Sequence, residues 1–182
     1  MDIEKIKQLH DIGAVFLNKK EIKKSESYIN KAFKEINHIS DFELVSGIYL
    51  NKGILERAKK NYDLSEKYVK KSILIIKNKL KNKKSYYNRL LSSKIALSAI
   101  YTEENKINEA AIVYQKCFEL INFEVDKHLK INLLNNYAMF LGKIGNFYEA
   151  CEYYEKALDL YEDKNSEQYA ETIKNLGIVY KE

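Results

Sequence analysis

Apolar residues recur at every third or fourth position over most of the chain, and short polar segments interrupt this pattern at intervals. Such spacing places the apolar side chains on one face of an α-helix. The chain has no proline and only six glycines, so it lacks the turn residues of loop-rich or all-β folds. The pattern therefore predicts an all-α fold. The expected helices are 3–18, 21–37, 41–59, 62–80, 85–103, 107–122, 126–143, 147–162 and 166 to the end of the chain.

The predicted helices carry two kinds of repeated position. Even-numbered helices have a small residue, a bulky residue four positions later and a second small residue three positions after that. The clear copies are Ala110/Tyr114/Cys117 and Ala150/Tyr154/Ala157, and the fainter ones are Ser25/Ile29/Ala32 and Ser65/Val69/Ser72. Odd-numbered helices have one small residue that a bulky residue usually follows. These small residues are Gly13, Gly53, Ser98, Ala138 and Gly177, at spacings of 40, 45, 40 and 39.

Recurring small side chains allow two helices to pack closely, while a bulky side chain one turn away fills the remaining space. Two such positions in each unit predict an antiparallel helix hairpin. Hairpins of this kind stack into a right-handed solenoid, here of about four repeats and a terminal helix. We expect a single domain over 1–182, with repeats at about 6–40, 46–80, 91–123 and 131–163 and a half-repeat at 170–182.

Two helices depart from the regular scheme. Gly53 lies between Lys52 and Glu56, which predicts that the third helix packs in a shifted register. The terminal helix has no partner helix in the sequence, so its apolar face is expected to be exposed. That face comprises Ile173, Leu176, Val179 and Tyr180. Its exposure predicts either that the chain is a fragment or that another molecule covers the face, by self-association for example.

The segment NNYAMFLGKIGNFYEACEYYEKALDLY and the later NLGIVY resemble the tetratricopeptide repeat. The matching residues are Leu176, Gly177 and Tyr180 in Leu-Gly-x-x-Tyr, Gly145-Asn146-Phe147 in the turn, and Ala150, Tyr154 and Ala157 in the second helix. The units are longer than the usual length of about 34 residues and lack a closing proline. This departure implies longer helices or loops around 77–90 and 161–169. The resemblance implies a domain that binds a protein or a peptide.

The odd-numbered helices line the concave face of a stacked-hairpin solenoid, where a peptide would bind. The candidate peptide-binding residues are His10, Asn18, Leu50, Ile54, Arg57, Ile95, Asn132, Asn135, Met139, Lys143 and Lys174. An asparagine amide both donates and accepts, so Asn132 and Asn135 suit the backbone of an extended peptide. Lys143 and Lys174 suit a carboxylate.

Unit length and the Asn-, Lys- and Ile-rich composition are similar to those of the cytosolic peptide-pheromone receptors of Gram-positive bacteria. This resemblance implies the peptide-sensing (quorum-sensing) part of a transcriptional regulator, whose DNA-binding domain lies outside the chain. The main alternative is an adaptor that recruits a folded protein through the convex face or through tyrosines such as Tyr148 and Tyr153. A co-chaperone is not expected, because apolar residues (Leu50, Ile54 and Ile95) occupy positions where a carboxylate clamp has lysine and asparagine.

The net charge of +5 conceals an asymmetry between the two halves of the chain. Residues 1–94 hold 22 basic and 11 acidic side chains, whereas residues 95–182 hold 9 and 15. The densest basic run is Lys77, Lys79, Lys81, Lys83 and Lys84. Nucleic-acid binding is the less favoured interpretation of this run, since no arginine or interleaved aromatic accompanies it. A solvated connection between helices is the favoured one.

The sequence carries no common catalytic, phosphate-binding or metal-binding motif. His10, His38 and His128 are isolated, and Cys117 and Cys151 occupy or adjoin packing positions, where cysteine acts as a small apolar side chain. We therefore expect neither an enzyme nor a cofactor or metal. No apolar stretch is long enough to span a membrane and the N-terminus lacks a secretory pattern, which together predict a cytoplasmic protein.

Overall fold

The computed structural model describes residues 2–181, and every regular element in that range is helical. The helices are α1 (Ile3–Asn18), α2 (Ile22–Lys34), α3 (Phe42–Ala58), α4 (Tyr62–Lys79), α5 (Tyr86–Glu103), α6 (Ile107–Leu120), α7 (Lys127–Lys143), α8 (Phe147–Leu160) and α9 (Glu167–Val179). A short 3-10 helix, Ile36–His38, follows α2. The predicted all-α fold is confirmed, and each helix ends within a few residues of its expected bounds.

The helices form one array of stacked hairpins. Consecutive helices pack as the pairs α1–α2, α3–α4, α5–α6 and α7–α8, and α9 packs against α8 and α7. Odd-numbered helices also contact each other in series, α1 with α3, α3 with α5, and α5 with α7. The result is a right-handed solenoid in which the odd-numbered helices line the concave face.

Close approach of the paired helices depends on small residues at the contact. A Cβ added to Gly13 would lie 2.7 Å from Cγ1 of Ile29, and one added to Gly53 would lie 2.5 Å from Cγ2 of Val69. In both hairpins the serine one turn before that bulky residue donates a hydrogen bond to the glycine carbonyl, at 2.9 Å and 2.7 Å. Gly53 thus occupies the same contact as Gly13, and the predicted shift in register of the third helix is wrong.

The charged neighbours of Gly53 are accommodated by pairing. Lys52 and Glu56 form an ion pair of 2.9 Å, and Glu56 is almost fully buried. Burial acts to raise the pKa of the Glu56 carboxyl, but hydrogen bonds from Asn61 and Lys52 hold that pKa below its usual range. Lys52 also donates to Asn30 of α2 at 2.7 Å. Because the two charges satisfy each other, α3 keeps the register that the small residue sets.

Each hairpin turn contains one residue in the left-handed backbone region. These residues are Lys20 (φ 59°), Lys60 (φ 63°), Asn105 (φ 62°) and Gly145 (φ 82°). In every turn the N–H of the next residue donates to a carbonyl five positions earlier, at 2.8–2.9 Å. This hydrogen bond is typical of a Schellman motif, which ends a helix with a left-handed residue. Each of the four residues lies seven positions after the small residue of its repeat. The position of the turn relative to the helix contact is therefore the same in all four hairpins.

The central helix α5 is buried on all sides. Its buried residues include Leu91 and Ile100, which face neighbouring helices, and also Ile95, Ala99 and Thr102. The last three occupy concave-face positions. The part of the concave face that α5 forms is therefore buried.

The terminal helix α9 is only partly exposed on its apolar side. Ile173 and Tyr180 are exposed, as predicted, whereas Leu176 and Val179 are half-buried. Val179 packs against the main hydrophobic core, near Gly142 of α7. The prediction of an exposed face is thus correct for Ile173 and Tyr180 and wrong for the other two residues.

Candidate functional site

The concave face holds most of the candidate residues in accessible positions. Asn18, Asn132, Met139, Lys143 and Lys174 are exposed, and His10, Leu50, Ile54, Arg57 and Asn135 are half-buried. Ile95 is 3% exposed and belongs to the hydrophobic core. A ligand therefore does not reach Ile95 in this conformation, and the accessible part of the face lies on either side of α5.

On the N-terminal side of α5, polar groups are already paired with one another. His10 Nε2 lies 2.9 Å from Nδ2 of Asn51 in the next odd-numbered helix, and His10 Nδ1 lies 2.9 Å from Asp11. A neutral imidazole that accepts from Asn51 and donates to Asp11 satisfies both contacts. Arg89 of α5 donates to the backbone carbonyl and to the carboxylate of Glu43 in α3. These bonds join α1, α3 and α5 and leave few free donors for a ligand.

Lys143 serves a structural contact at the end of α5. Its ammonium donates to the carbonyl oxygens of Thr102 and Glu103, the latter at 3.3 Å. Carbonyls at the end of a helix lack partners within the helix, and a lysine commonly satisfies them. Arg57 approaches the Glu103 carboxylate at 3.8 Å from the other side. Two candidate residues, Lys143 and Arg57, thus stabilise the packing of α3, α5 and α7.

The C-terminal side offers a more open surface, which we name the α7–α9 patch. It consists of Asn132, Asn135 and Met139 of α7 and Lys174 and Ile178 of α9. Met139 and Ile178 are exposed apolar side chains on neighbouring helices of the concave face. Apolar and amide groups are thus presented together.

The two asparagines of this patch differ in their surroundings. Asn135 Nδ2 donates to Oγ1 of Thr172 at 3.0 Å and to the hydroxyl of Tyr161 at 3.3 Å. Its Oδ1 is buried, and within residues 2–181 it has no hydrogen-bond partner. Asn132 is exposed, and its Oδ1 accepts from Asn136 at 2.7 Å. The helical spacing of the sequence does not point to Thr172 or Tyr161, because only the tertiary fold brings these two residues to Asn135.

The two ends of the array meet across the concave face. Lys20, in the turn after α1, donates to the carboxylate of Glu171 in α9 at 2.9 Å. Hydrogen bonding to Glu171, with its negative charge, raises the pKa of Lys20. The two residues are 151 positions apart, so the helical period contains no sign of this contact. The Lys20–Glu171 ion pair therefore joins the turn after α1 to helix α9.

The convex side carries a cavity that the sequence did not predict. It has a volume of about 440 Å³ and is lined by Phe33, Tyr49, Tyr68, Leu74, Lys67, Lys70 and Lys71. The rings of Phe33, Tyr49 and Tyr68 lie 5.4–6.3 Å apart, in edge-on and tilted contacts. Aromatic side chains beside ammonium groups can hold an apolar group next to a negative charge.

Four tyrosines lie outside the repeated packing positions, and three of them pack against other aromatic rings. Tyr86 and Tyr87 contact each other, and Tyr87 stacks on Phe123 at 4.1 Å. Tyr153 packs against Tyr137 at 4.8 Å. Tyr148 alone among these four is strongly exposed, at 77%. Of the tyrosines proposed for adaptor function, Tyr148 is therefore the accessible one.

The described residues offer few other groups that could bind a charged ligand or a metal ion, or act as a nucleophile. The lysines of the 77–84 run are exposed, and Lys79 lies over the ring of Phe42 at 5.2 Å. Within residues 2–181, no cluster of histidine, cysteine and acidic side chains could hold a metal ion. Burial raises the pKa of the Cys117 thiol to about 12, so this thiol is protonated and inert at neutral pH. In the same described range, none of the helices combines the length and the apolar character that crossing a membrane requires.

Comparison with protein-family models identifies the type of repeat in the C-terminal part of the chain. The tetratricopeptide repeat family model matches residues 129–182. The C-terminal part of the chain thus matches a tetratricopeptide repeat. Repeats of this type generally mediate protein–protein interaction, and their helical-repeat fold is typically a binding scaffold rather than an enzyme.

The fold also has a counterpart among solved structures. The crystal structure of BtubC (BKLC) from P. vanneervenii superposes with a TM-score of 0.68 at 18% sequence identity, over 97% of this chain and 72% of that one. At this identity the likeness concerns the fold alone. No curated protein sequence matches the chain.

Proposed function

We propose that this tetratricopeptide-type domain binds an extended peptide, or an extended segment of a protein, at the α7–α9 patch. The observation that carries the proposal is the joint presentation of exposed Met139 and Ile178 with Asn132 and Asn135 on adjacent helices. The general role of these repeats in protein–protein interaction supports it.

The chemistry of the patch defines the ligand. Backbone N–H and C=O groups of an extended peptide pair with the exposed amide of Asn132, which recognises any sequence, while Asn135 supports this surface through its bonds to Thr172 and Tyr161. One apolar side chain of the peptide packs against Met139 and Ile178. Lys174 is exposed on the same side of α9 and attracts a carboxylate. Such a site favours a short peptide with an apolar residue close to its free carboxyl end.

As a biological setting we propose the cytoplasm, with the domain as the peptide-sensing part of a transcriptional regulator. A sensor of this kind needs a conformational response to its ligand. The exposed Lys20–Glu171 ion pair joins the two ends of the array, the turn after α1 and helix α9. A peptide at the patch, which includes α9, would change the free energy of that contact and so shift the relative positions of the two ends.

Calorimetry with short random peptides that carry a free carboxyl end tests the proposal. Asn132→Ala is expected to weaken binding about tenfold, the equivalent of one hydrogen bond, and Asn135→Ala is expected to weaken binding by loosening the contact between α7 and α9. Asn135→Ala also removes the bond to Thr172, so its melting temperature must be measured, whereas Asn132 is exposed and its variant should fold normally. Asn78→Ala, an exposed asparagine of α4, is the matched control. Unchanged affinity in both patch variants would exclude the site.

The convex aromatic cavity favours a second candidate function, that of an adaptor for a folded protein. Its three rings and three lysines suit an acidic protein segment that carries one apolar residue. A partner whose capture is lost with Tyr68→Ala and retained with Asn132→Ala would support the adaptor. The opposite result would support the concave face.

A further inference from the structure

The convex cavity continues into a row of lysines along α4. From Lys67 to Thr102 the sequence holds nine lysines, one arginine and no acidic side chain. Lys71, Leu74 and Lys77 follow each other at three-residue intervals, and Lys67 precedes Lys71 by one turn, so the helix places them on one side. All four are exposed. Lys77 lies one turn beyond the cavity lining, and we name Lys67, Lys71 and Lys77 the α4 lysine track.

The ammonium groups of the α4 lysine track are not neutralised by the protein. In the part of the chain that the structure describes, no carboxylate pairs with any of the three. The nearest acidic residue of α4, Glu66, pairs instead with Lys70 and with Lys106 of a later turn. Unpaired like charges on one side of a helix repel each other, and an anionic ligand relieves that repulsion.

The cavity offers a place for one apolar side chain beside these charges. Phe33, Tyr49 and Tyr68 come from three helices and contact each other there. Leu74, which also lines the cavity, is 50% exposed. Within residues 2–181 the hydroxyls of Tyr49 and Tyr68 have no hydrogen-bond partner, so both are free to donate to a carbonyl or a carboxylate. A volume of about 440 Å³ is ample for a large apolar side chain.

We propose that the convex cavity and the α4 lysine track together bind an acidic segment of a partner protein, with one apolar residue in the cavity and acidic residues along the track. This inference rests on the adaptor function proposed above for the cavity, and it specifies the ligand. Ten residues separate Lys67 from Lys77, which is about 15 Å of helix. An extended segment covers that distance with about five residues. The ligand is therefore an apolar residue with about two acidic residues on each side.

A nucleic acid is another polyanion that unpaired lysines attract. Single-stranded binding of this kind uses bases stacked on free ring faces. The Lys52 ammonium lies 6.0 Å from the ring centres of Phe33 and Tyr68, and the two rings also meet at 72°. Much of the flat ring surface is thus already in contact, whereas an apolar side chain needs only an apolar wall. Repeats of this type generally mediate protein–protein interaction, which also favours an acidic protein segment.

Fluorescence anisotropy with a labelled synthetic peptide tests the proposal on the whole chain. The peptide has one phenylalanine between two pairs of glutamates, and both of its ends are blocked. It is expected to bind the wild-type chain with an affinity that falls as salt is added, because salt screens the exposed charges. Peptides with alanine in place of phenylalanine, or glutamine in place of glutamate, are each expected to bind about tenfold more weakly or worse.

Substitutions of exposed residues test the two parts of the site. Lys71→Glu and Lys77→Glu are each expected to weaken binding about tenfold at low salt, because repulsion replaces attraction. Lys164→Glu, at an exposed lysine after α8, changes the net charge equally and should leave binding unchanged. Leu74→Ala is expected to weaken binding several-fold, whereas Leu64→Ala, at a 43% exposed leucine of the same helix, is its matched control. Circular dichroism confirms that each variant folds.

Several outcomes would overturn the inference. No binding of the peptide, or equal affinity in wild type, Leu74→Ala and Lys77→Glu, would overturn the site. Tighter binding of a single-stranded oligonucleotide, weakened by the same variants, would overturn the assignment to a protein segment. A partner that is captured through Tyr68 but has no acidic segment would overturn this ligand and leave the adaptor function intact. Peptide binding at the concave α7–α9 patch is read separately with Asn132→Ala.

Discussion

Replacing Gly53 with alanine is expected to destabilise the protein, although alanine is the better helix former. The new Cβ would lie 2.5 Å from Cγ2 of Val69, 3.1 Å from the carbonyl oxygen of Ser65 and 3.2 Å from the backbone nitrogen of Val69. Two of these three neighbours are backbone atoms, which cannot rotate away. Helices α3 and α4 must therefore move apart.

The magnitude follows from two opposing terms. Overpacking a helix contact costs about 1–3 kcal/mol. Alanine in place of glycine in a helix interior stabilises by about 1 kcal/mol. The expected net loss in the free energy of unfolding is therefore about 1 kcal/mol, with about 2 kcal/mol as the upper end.

Gly177→Ala is the matched control, because no heavy atom lies within 4 Å of the added Cβ. It retains the helix-propensity gain without the collision, so the two variants should differ by about 1–3 kcal/mol. Urea unfolding followed by far-UV circular dichroism, at a protein concentration where both variants are monomeric, measures this difference. Adding Val69→Ala to Gly53→Ala should recover part of the loss. If Gly53→Ala stabilised the protein as much as Gly177→Ala, the close contact of α3 with α4 would be refuted.

Three further changes test other parts of the structure. Gly145→Ala should lower the free energy of unfolding by about 1 kcal/mol in urea titrations, because φ is 82° there and the cost is purely conformational. Burial raises the pKa of Tyr114 and of Tyr154 to about 12, above the ordinary 10.0, so the folded state holds these protons more tightly than the unfolded state. The stabilisation is complete below pH 10 and is lost between pH 10 and 12; urea midpoints should fall over that interval, with the tyrosinate absorbance of these two residues appearing only on unfolding. A thiol reagent should modify half-buried Cys151 in the native protein and Cys117 only after denaturation.

Each of these expectations has a contrary outcome. An unchanged midpoint in Gly145→Ala would mean that the turn relaxes to another conformation. Tyrosinate absorbance that rises fully at pH 10 with the fold intact would mean that the two hydroxyls are in water. Rapid native labelling of Cys117 would mean that the contact between α5 and α6 opens.

The helices and their pairing could be predicted from the sequence because both depend on local periodicity. A stripe at helical spacing marks the face to be buried, and a small residue marks where the next helix comes close. The small residues from Gly13 to Gly177 therefore located every odd-numbered helix correctly. The prediction failed at α3, where Lys52 and Glu56 suggested a shifted register, because these two residues pair with each other within the helix and Lys52 also donates to Asn30 of a neighbouring helix.

The candidate site could be predicted only in outline. Helical phase placed Asn132, Asn135 and Met139 on the predicted concave face, but it did not show which of the candidate residues pack against other helices. The packing of the hairpins buries Ile95, places the Lys143 ammonium against a carbonyl at the end of α5, and brings Lys20 into contact with Glu171. The convex cavity around Tyr68 was missed for the same reason, since its residues come from three helices.

Within residues 2–181, the sequence by itself determined nine α-helical segments, the small residues where paired helices touch, and the exposure of Ile173 and Tyr180 on α9. Those features are encoded in neighbours three or four positions apart, which the helix brings onto one face whatever the rest of the chain does. Only the tertiary structure decided which concave residues a ligand can reach and which charges meet. Such contacts depend on a small rotation between hairpins that accumulates along the array, and no single spacing in the chain records it.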